Sequence, residues 1–155
     1  MKTLIRHATG ADFATLLSID GDSFPREVAY DCAELSYLMK RPGAETLVLE
    51  EDGGIAAFLL FEVNRRRKLA TIITLDVREE KRRKGYASSL LKQSEDLLAT
   101  HGVEKVDLQV DVENEGAIAF YRKHGFQTVR LLRNYYPTGH DAWLMVKTLR
   151  TDGGA

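Results

Sequence analysis

Hydrophobic positions along the chain follow two spacings, one typical of strands and one typical of helices. Alternating or continuous apolar runs, bounded by glycine and charged turns, predict seven strands at 3–8, 46–50, 55–63, 69–77, 105–111, 126–132 and 142–149. Spacings of three and four predict four helices: one capped by residues 9–12, one at 30–39, one that ends at Gly102, and one from Asn114 to Gly125. The order βααβββαβαββ predicts an α/β (α+β) fold with a mixed sheet of about seven strands and four helices.

Length and charge predict a single domain. The chain has 155 residues, 44% of them hydrophobic, and its 22 lysines and arginines nearly balance 23 acids. We expect one domain over residues 1–150 and a disordered tail over 151–155. A formal net charge of −1 gives no overall field that attracts nucleic acid or an anionic membrane, so we expect neither partner.

Cysteine and histidine usage predicts a protein without disulfides or metal. Cys32 is the single cysteine of the sequence, and the four histidines are scattered without zinc-ligand spacing. Residues 1–19 contain no apolar run of signal-peptide length, and no stretch approaches the length of a membrane span. A cytoplasmic location is therefore the expectation.

The segment 74–87 has the composition of an anion-binding turn. A strand is followed by a run of cations, a glycine and a predicted helix, and the free N–H groups at a helix start attract phosphate. Gly85 allows the main chain to approach such an anion closely. The segment is neither a Walker loop nor a dinucleotide fingerprint, because GxxxxGK[ST] and GxGxxG are both absent.

Residues 82–87, RRKGYA, resemble the (Q/R)xxGx(G/A) pyrophosphate motif of the GNAT acetyltransferases. Residues 114–126 resemble the N-x-x-A-x-x-x-Y-x-x-x-G-F signature of the same family, with Tyr121 as its tyrosine. Together with the element order, the resemblance covers residues 3–149. It implies the GNAT fold and an enzyme that transfers the acetyl group of acetyl-CoA to an amine, without a metal.

The same resemblance implies which residues hold acetyl-CoA. The main chain of residues 75–77 would pair with the pantetheine arm, and the backbone of residues 83–88 would hold the pyrophosphate. Three cationic side chains would add charge there or remain solvated, and Asn114 would cap its helix and contact the cofactor or the strand end. The implied cofactor-binding residues are Leu75, Val77, Arg82, Arg83, Lys84, Gly85, Tyr86, Ala87, Ser88 and Asn114.

A closer resemblance, to the bacterial ribosomal-protein-alanine N-acetyltransferases within this family, lies in residues 133–145. The equivalent loop of that subgroup helps to cover a peptide N-terminus, so the resemblance implies that Tyr135 and Tyr136 bind the acceptor. The loop is a few residues shorter here, and each tyrosine could equally pack a crossover between two strands. Phe24, which precedes Pro25, resembles the same subgroup and is a third candidate for acceptor binding.

The catalytic residues follow only in part from the resemblance. The departing thiolate has a pKa of about 8.5 and needs a proton, and Tyr121 matches the family tyrosine that faces the sulfur. The alternative is that Tyr121 is a core residue on its helix face. The alanine-acetylating type has a glutamate base where this chain has Gln109, and an amide cannot act as a base. Asp76, Glu27 or a water oriented by Gln109 are the candidates for accepting the amine proton.

The predicted function is transfer of the acetyl group to a primary amine, foremost a protein or peptide α-amine, by direct attack in a ternary complex. An α-amine of pKa about 7.7–8.0 is partly neutral at pH 7 and tolerates a weak base. A first alternative is acetylation of a polyamine, amino acid or antibiotic, which predicts a cleft lined by acids such as Asp22, Glu27 and Asp31. A second alternative is a CoA-binding module with little catalysis. A monomer and a homodimer are both open.

Overall fold

Residues 1–149 are described by a computed structural model, and they form one seven-stranded sheet with four α-helices in the predicted order. The strands are β1 (Thr3–His7), β2 (Ala44–Glu51), β3 (Gly54–Asn64), β4 (Leu69–Val77), β5 (Lys105–Asp111), β6 (Gln127–Leu132) and β7 (Ala142–Thr148). The helices are α1 (Phe13–Ser23), α2 (Cys32–Lys40), α3 (Tyr86–Thr100) and α4 (Glu115–Lys123).

The strand order is β1-β2-β3-β4-β5-β7-β6, and β4 and β5 are the one parallel pair of neighbours among the described residues. Their pairing stops at Ile72 opposite Leu108, although β4 continues to Val77 and β5 to Asp111. The two strands therefore separate at their carboxyl ends. This separation leaves an opening in the middle of the sheet, where backbone N–H and C=O groups face each other without a strand partner.

A β-bulge in β4 lies where the separation begins. The pairing of β4 with β3 skips Ile73, which is the extra residue between Ile72 and Thr74. The extra residue reverses the alternation of side chains: Ala70 and Ile72 pack in the core with α3 before the bulge, and Leu75 and Val77 pack against that core after it. The polar end of β4 turns toward α1 as a result, and Thr74 contacts Asp20 of that helix.

Two hydrophobic cores, one on each side of the sheet, hold the helices. Successive residues of β3 alternate between them: Leu59 and Phe61 belong to the larger core with α3 and α4, and Phe58 and Leu60 to the smaller core with α1 and α2. These four side chains are at most 1% exposed. The sheet therefore separates an α1–α2 side from an α3–α4 side, and the opening between β4 and β5 connects the two.

The start of the second helix differs from the prediction, because the helix begins at Cys32 and not at residue 30. Asp31 caps it: its Oδ1 accepts the Glu34 N–H at 2.8 Å, and Glu34 Oε1 accepts the Asp31 N–H at 3.1 Å. The Tyr30 N–H instead donates to Asp20 Oδ2 at 2.9 Å. The segment between α1 and α2 is therefore attached to α1 by a buried carboxylate.

The other predicted elements are confirmed, with ends that differ by one or two residues. The predicted tail, 151–155, lies outside the described residues. Within residues 1–149, no helix has both the length and the apolar character that are needed to cross a membrane.

Candidate active site

A cavity of about 640 Å³ opens where β4 and β5 separate. Its walls come from the segment between α1 and α2, the two strand ends, the start of α4 and the connection between β6 and β7. Among its lining residues are several that the sequence predicted for catalysis, cofactor binding or acceptor binding: Phe24, Leu75, Gln109, Asn114, Tyr121, Tyr135 and Tyr136. One opening thus brings together candidates from distant parts of the chain.

Tyr121 reaches this cavity from α4, and 8% of its surface is exposed. Its ring packs edge to face against Phe120 and Phe126, with ring centroids 5.2 and 5.4 Å away. Burial raises the pKa of the Tyr121 phenol, and the nearby charge of Asp76 adds to the shift. The side chain is both part of the core and part of the cavity wall, and its hydroxyl is protonated at neutral pH.

Gln109 and Asn114 form the β5 side of the cavity. Gln109 lies between buried Leu108 and Val110, and because side chains alternate along a strand it faces away from the α3 core and into the opening. Asn114 precedes α4, and its Oδ1 accepts the Ala117 N–H at 3.1 Å, as an N-cap does. The cap accounts for the asparagine at this position, and its place on the cavity wall leaves it accessible to a ligand.

The structure does not bring Asp76 or Glu27 to the cavity wall. Asp76 is buried and its Oδ1 accepts the Thr74 hydroxyl at 2.6 Å, while that hydroxyl lies 3.5 Å from Asp20 Oδ1. Among the described residues, Asp76 Oδ2 has no hydrogen-bond partner. Burial, and then the nearby carboxyl group of Asp20, raise the pKa of Asp76 well above its ordinary value. Glu27 is exposed and outside the cavity lining.

Aromatic side chains from two loops form the opposite side of the cavity. Phe24 and Tyr30 come from the segment between α1 and α2, and Tyr135 and Tyr136 come from the β6–β7 connection. The rings of Tyr135 and Tyr136 meet edge to face, with centroids 5.0 Å apart. Burial raises the pKa of Tyr30 to about 12 and also raises the pKa of Tyr136. This wall is therefore uncharged at neutral pH, and sequence reasoning missed the contribution of Tyr30.

The turn before α3 has the geometry of an anion site. Gly85 has a φ of +79° and Arg83 a φ of +66°, both in the left-handed region. Within residues 1–149 no side chain caps α3, so its first N–H groups lack a side-chain acceptor there. The space beside Gly85 is open in this part of the chain, because a Cβ added to Gly85 would meet no described atom within 4 Å. Ala87 and Ser88 follow in the first turn, where the Ser88 hydroxyl lies 2.9 Å from His124 Nε2.

Two side chains predicted to hold the cofactor form bonds within the protein. Glu51, at the end of β2, is 7% exposed and accepts hydrogen bonds from Lys81, Lys84 and the Tyr86 hydroxyl. These donors lower the pKa of Glu51 to about 2, and Glu51 raises the pKa of Tyr86 to about 12. Lys84 and Tyr86 thus fix the turn to the sheet through their side chains.

The carboxyl-terminal end of β4, from Leu75 to Val77, has backbone groups available on the edge that faces β5. Val77 pairs with Ala57 of β3, whereas the edge toward β5 is unpaired beyond Ile72 in the part of the chain that the structure describes. Leu75 lines the cavity, and Val77 lies past it. The Val77 carbonyl accepts the Nε–H of Arg82 at 3.3 Å, and the rest of the Arg82 side chain is exposed.

Sequence reasoning also missed a charged cluster on the cavity wall. His140 Nδ1 lies 2.8 Å from Asp111 Oδ2, and His140 Nε2 lies 2.9 Å from Glu113 Oε2. Strand alternation could have placed Asp111 on the same face as Gln109, but no sequence pattern signals that His140 meets it from 29 positions away. One ligand-type atom from each of the three lies within 4.8 Å of the others, and the expectation of a metal-free protein stays a prediction.

Comparisons with known proteins identify the family of the chain. Residues 12–126 match the acetyltransferase (GNAT) family. An N-alpha-acetyltransferase of Sulfurisphaera tokodaii is 29% identical over an alignment of 160 positions, which covers 94% of this chain and 92% of that protein. An N-alpha-acetyltransferase of Saccharolobus solfataricus is 40% identical over 79 residues, which cover 50% of this chain and 47% of that protein.

A solved structure has the same fold. The crystal structure of the ribosomal-protein-S18-alanine N-acetyltransferase from Escherichia coli superposes with a TM-score of 0.86 at 25% identity, covering 96% of this chain and 94% of that one. The predicted fold is therefore confirmed. The family match spans most of the chain and includes both the turn at Gly85 and the helix of Tyr121. The chain belongs to the acetyltransferase (GNAT) family.

Proposed function

We propose that the protein transfers the acetyl group of acetyl-CoA to the N-terminal α-amine of a protein or peptide. The observation that carries the proposal is that the unpaired edge of β4, the Tyr121 phenol and the aromatic loop of Tyr135 and Tyr136 meet in one cavity. The names of similar proteins support this acceptor, since two are N-alpha-acetyltransferases and one is a ribosomal-protein-S18-alanine N-acetyltransferase.

The residues of the turn and of β4 fit acetyl-CoA. The open space beside Gly85 and the uncapped N–H groups of α3 suit a pyrophosphate, and exposed Arg82 and Arg83 add positive charge. The unpaired edge of β4 from Leu75 to Val77 suits the amide groups of a pantetheine arm. When bound there, acetyl-CoA supplies a thioester whose carbonyl carbon accepts the amine.

Tyr121 is the proposed acid. Its raised pKa keeps the phenol protonated across the physiological pH range, so that it can donate a hydrogen bond to a departing sulfur. A backbone N–H on the free edge of β4 would polarise the acetyl carbonyl, as an oxyanion hole does. Gln109 faces the same opening and can orient a water there, but it cannot accept a proton.

The cavity suits a peptide N-terminus better than a polycation. Its aromatic wall is uncharged, and its two carboxylates, Asp111 and Glu113, are both bound to His140. A polyamine site predicts a lining of free acids. Among the described residues, the acids expected for such a site lie outside the cavity lining: Asp22, Glu27 and Asp31.

Release of free CoA from acetyl-CoA tests the proposal. Peptides with a free N-terminus should support turnover, and the same peptides with a blocked N-terminus are the matched control. Turnover on spermidine or an amino acid, with none on free peptides, would contradict the acceptor class. Binding of acetyl-CoA without turnover on any amine would indicate a CoA-binding module instead.

A further inference from the structure

His140, Asp111 and Glu113 form a cluster in which the imidazole is held in a fixed orientation. The cluster lies beside Gln109, the residue that stands where a catalytic base is expected. Gln109 and Asp111 are two residues apart on β5, so both point to the same face of the strand, away from buried Val110. Successive residues on one face of a strand are about 6.6 Å apart along the chain. The carboxylate of Asp111 therefore lies one step along the cavity wall from the Gln109 amide.

The connections around His140 hold it in place. Asp111 Oδ2 bonds to His140 Nδ1 at 2.8 Å, and the other oxygen of Asp111 accepts the Glu113 N–H at 2.9 Å, so the carboxylate is fixed. The Tyr136 N–H donates to the His140 carbonyl at 3.2 Å. Glu113 is the more exposed partner, with 67% of its side chain accessible against 22% for Asp111, so solvent can replace its contact with the imidazole. Nε2 of His140 is thus the nitrogen that can be released to a ligand.

We propose that His140 accepts the proton of the incoming ammonium group and that Asp111 is the positioning residue that orients its imidazole. The inference rests on the proposed function, because it names the proton acceptor for that same cavity. It assigns to an imidazole the role that Gln109 cannot perform and that neither Asp76 nor Glu27 is placed to perform.

The proton-transfer step balances within these groups. Neutral His140 carries its proton on Nδ1, donated to Asp111, and the lone pair on Nε2 is free once Glu113 turns outward. An N–H bond of the ammonium breaks, a new N–H bond forms at Nε2, and the amine nitrogen keeps the electron pair with which it attacks. The imidazolium then bonds to both carboxylates and returns its proton to solvent.

The strength of the base suits the acceptor. A base transfers protons most effectively when its pKa is close to the operating pH, and an α-ammonium has a pKa of about 7.7–8.0. Asp111 raises the pKa of His140 above 6.5, toward that of the amine. The groups that face the imidazole are Asp111 from the end of β5, Glu113 from the β5–α4 turn and Asp141 from its own loop, and all three are acidic. The active, neutral form of His140 therefore increases as pH rises above 6.5.

Kinetics across pH 6–9 with acetyl-CoA and a free N-terminal peptide test the inference. His140→Gln should lower kcat/KM by about 10-fold at pH 7 and by about 100-fold at pH 6, because roughly a tenth and a hundredth of an α-amine of pKa 7.7–8.0 are already neutral at these two pH values. The difference in kcat/KM between the variant and wild type should become smaller near pH 9, where the amine loses its proton to solvent without a base. Asp111→Asn should move the rising limb of the wild-type profile to lower pH, because the charge that raises the pKa of His140 is removed.

Controls separate this inference from folding and from the proposed function. His101→Gln, at the exposed end of α3, should leave the profile unchanged. The rise in melting temperature with CoA should be the same in His140→Gln as in wild type, which shows an intact fold. If wild type acetylates peptides and His140→Gln keeps its rate and pH profile, His140 is not the acceptor. Loss of wild-type activity with EDTA would overturn the inference in favour of a metal at the cluster. Failure of wild type on every peptide contradicts the proposed function instead.

Discussion

The hydroxyl of Tyr121 is the single phenol that α4 brings to the cavity, and burial raises its pKa above the ordinary value of 10. Tyr121→Phe keeps the ring packing and removes only the hydroxyl. We expect kcat to fall about 100-fold, in the range measured for general acids, with an unchanged affinity for CoA. Steady-state kinetics and calorimetry measure the two quantities.

The pH dependence gives a second readout for Tyr121. Because its pKa is raised, the phenol stays protonated, and the wild-type rate should not decline between pH 8 and 10 through this group. Tyr37→Phe is the matched control, since Tyr37 is 64% exposed on α2 and lies outside the cavity lining. A Tyr121→Phe variant with full kcat would show that the residue serves only the core.

Asp76 makes the protein less stable as pH rises. Its folded-state pKa lies above 3.8, so folding favours the protonated carboxyl group. The fold therefore has its full stability below about pH 4 and loses stability as pH rises through the folded-state pKa of Asp76. Asp76→Asn replaces the carboxylate by a neutral amide that can donate to Asp20. We expect the variant to melt higher than wild type at pH 8, with the difference disappearing toward pH 4.

Melting temperatures from pH 4 to 8 measure this effect. Each unit by which the folded-state pKa exceeds its ordinary value adds about 1.4 kcal/mol to the difference. Asp96→Asn is the matched control, because Asp96 is exposed on α3 and the substitution is the same. A variant that melts lower than wild type at pH 8 would mean that ionised Asp76 stabilises the fold.

The residues of the site could be predicted where one element carries the whole pattern. Asn114 and Tyr121 are recognisable because both lie in a single helix and its cap, where spacing fixes their relative positions. Glu51 and His140 could not be found in this way. Their partners lie 27 to 35 positions away, and only the packing of the sheet and the path of a loop bring them together.

At the scale of elements, the predicted strands and helices are confirmed because their apolar spacings agree with turns and caps at both ends. The separation of β4 from β5 could not be derived in the same way. The segment 69–77 has the pattern of a continuous strand, and the bulge at Ile73 has no glycine or proline to mark it. The pairing between strands, and not the local pattern, determines where the sheet opens.

Gly85 joins the charged turn to α3 with a φ of +79°. An L-residue there adopts the left-handed region at a cost of about 1–2 kcal/mol, so Gly85→Ala should lower the melting temperature and weaken CoA binding. Gly116→Ala, inside α4, is the matched substitution at a helical position, where alanine stabilises by about 0.5–1 kcal/mol. Thermal melts and CoA titrations of both variants measure the melting temperature and the affinity for CoA. If the two variants changed both quantities equally, Gly85 would have no special role.

At the scale of the whole molecule, the opening in the sheet connects two binding surfaces that lie on opposite sides of the sheet. The turn that suits a pyrophosphate belongs to the α3 side, whereas the aromatic wall that suits an acceptor is formed largely by the α1–α2 segment and the β6–β7 loop. A cofactor that extends along the free edge of β4 would reach from one side to the other. Substitutions in the turn on the α3 side should therefore weaken cofactor binding, and substitutions in the aromatic wall should weaken acceptor binding.

Binding of CoA should stabilise the whole domain. A ligand at 100 times its Kd adds about 2.7 kcal/mol to the free energy of unfolding, which for a domain of this size raises the melting temperature by about 5–10 °C. Adenosine diphosphate carries the pyrophosphate but no pantetheine arm, and it should produce a smaller rise because the β4 edge stays unpaired. Differential scanning fluorimetry with the two ligands measures both. Equal rises would confine binding to the turn at Gly85, and no rise with CoA would contradict the assignment of the cofactor site.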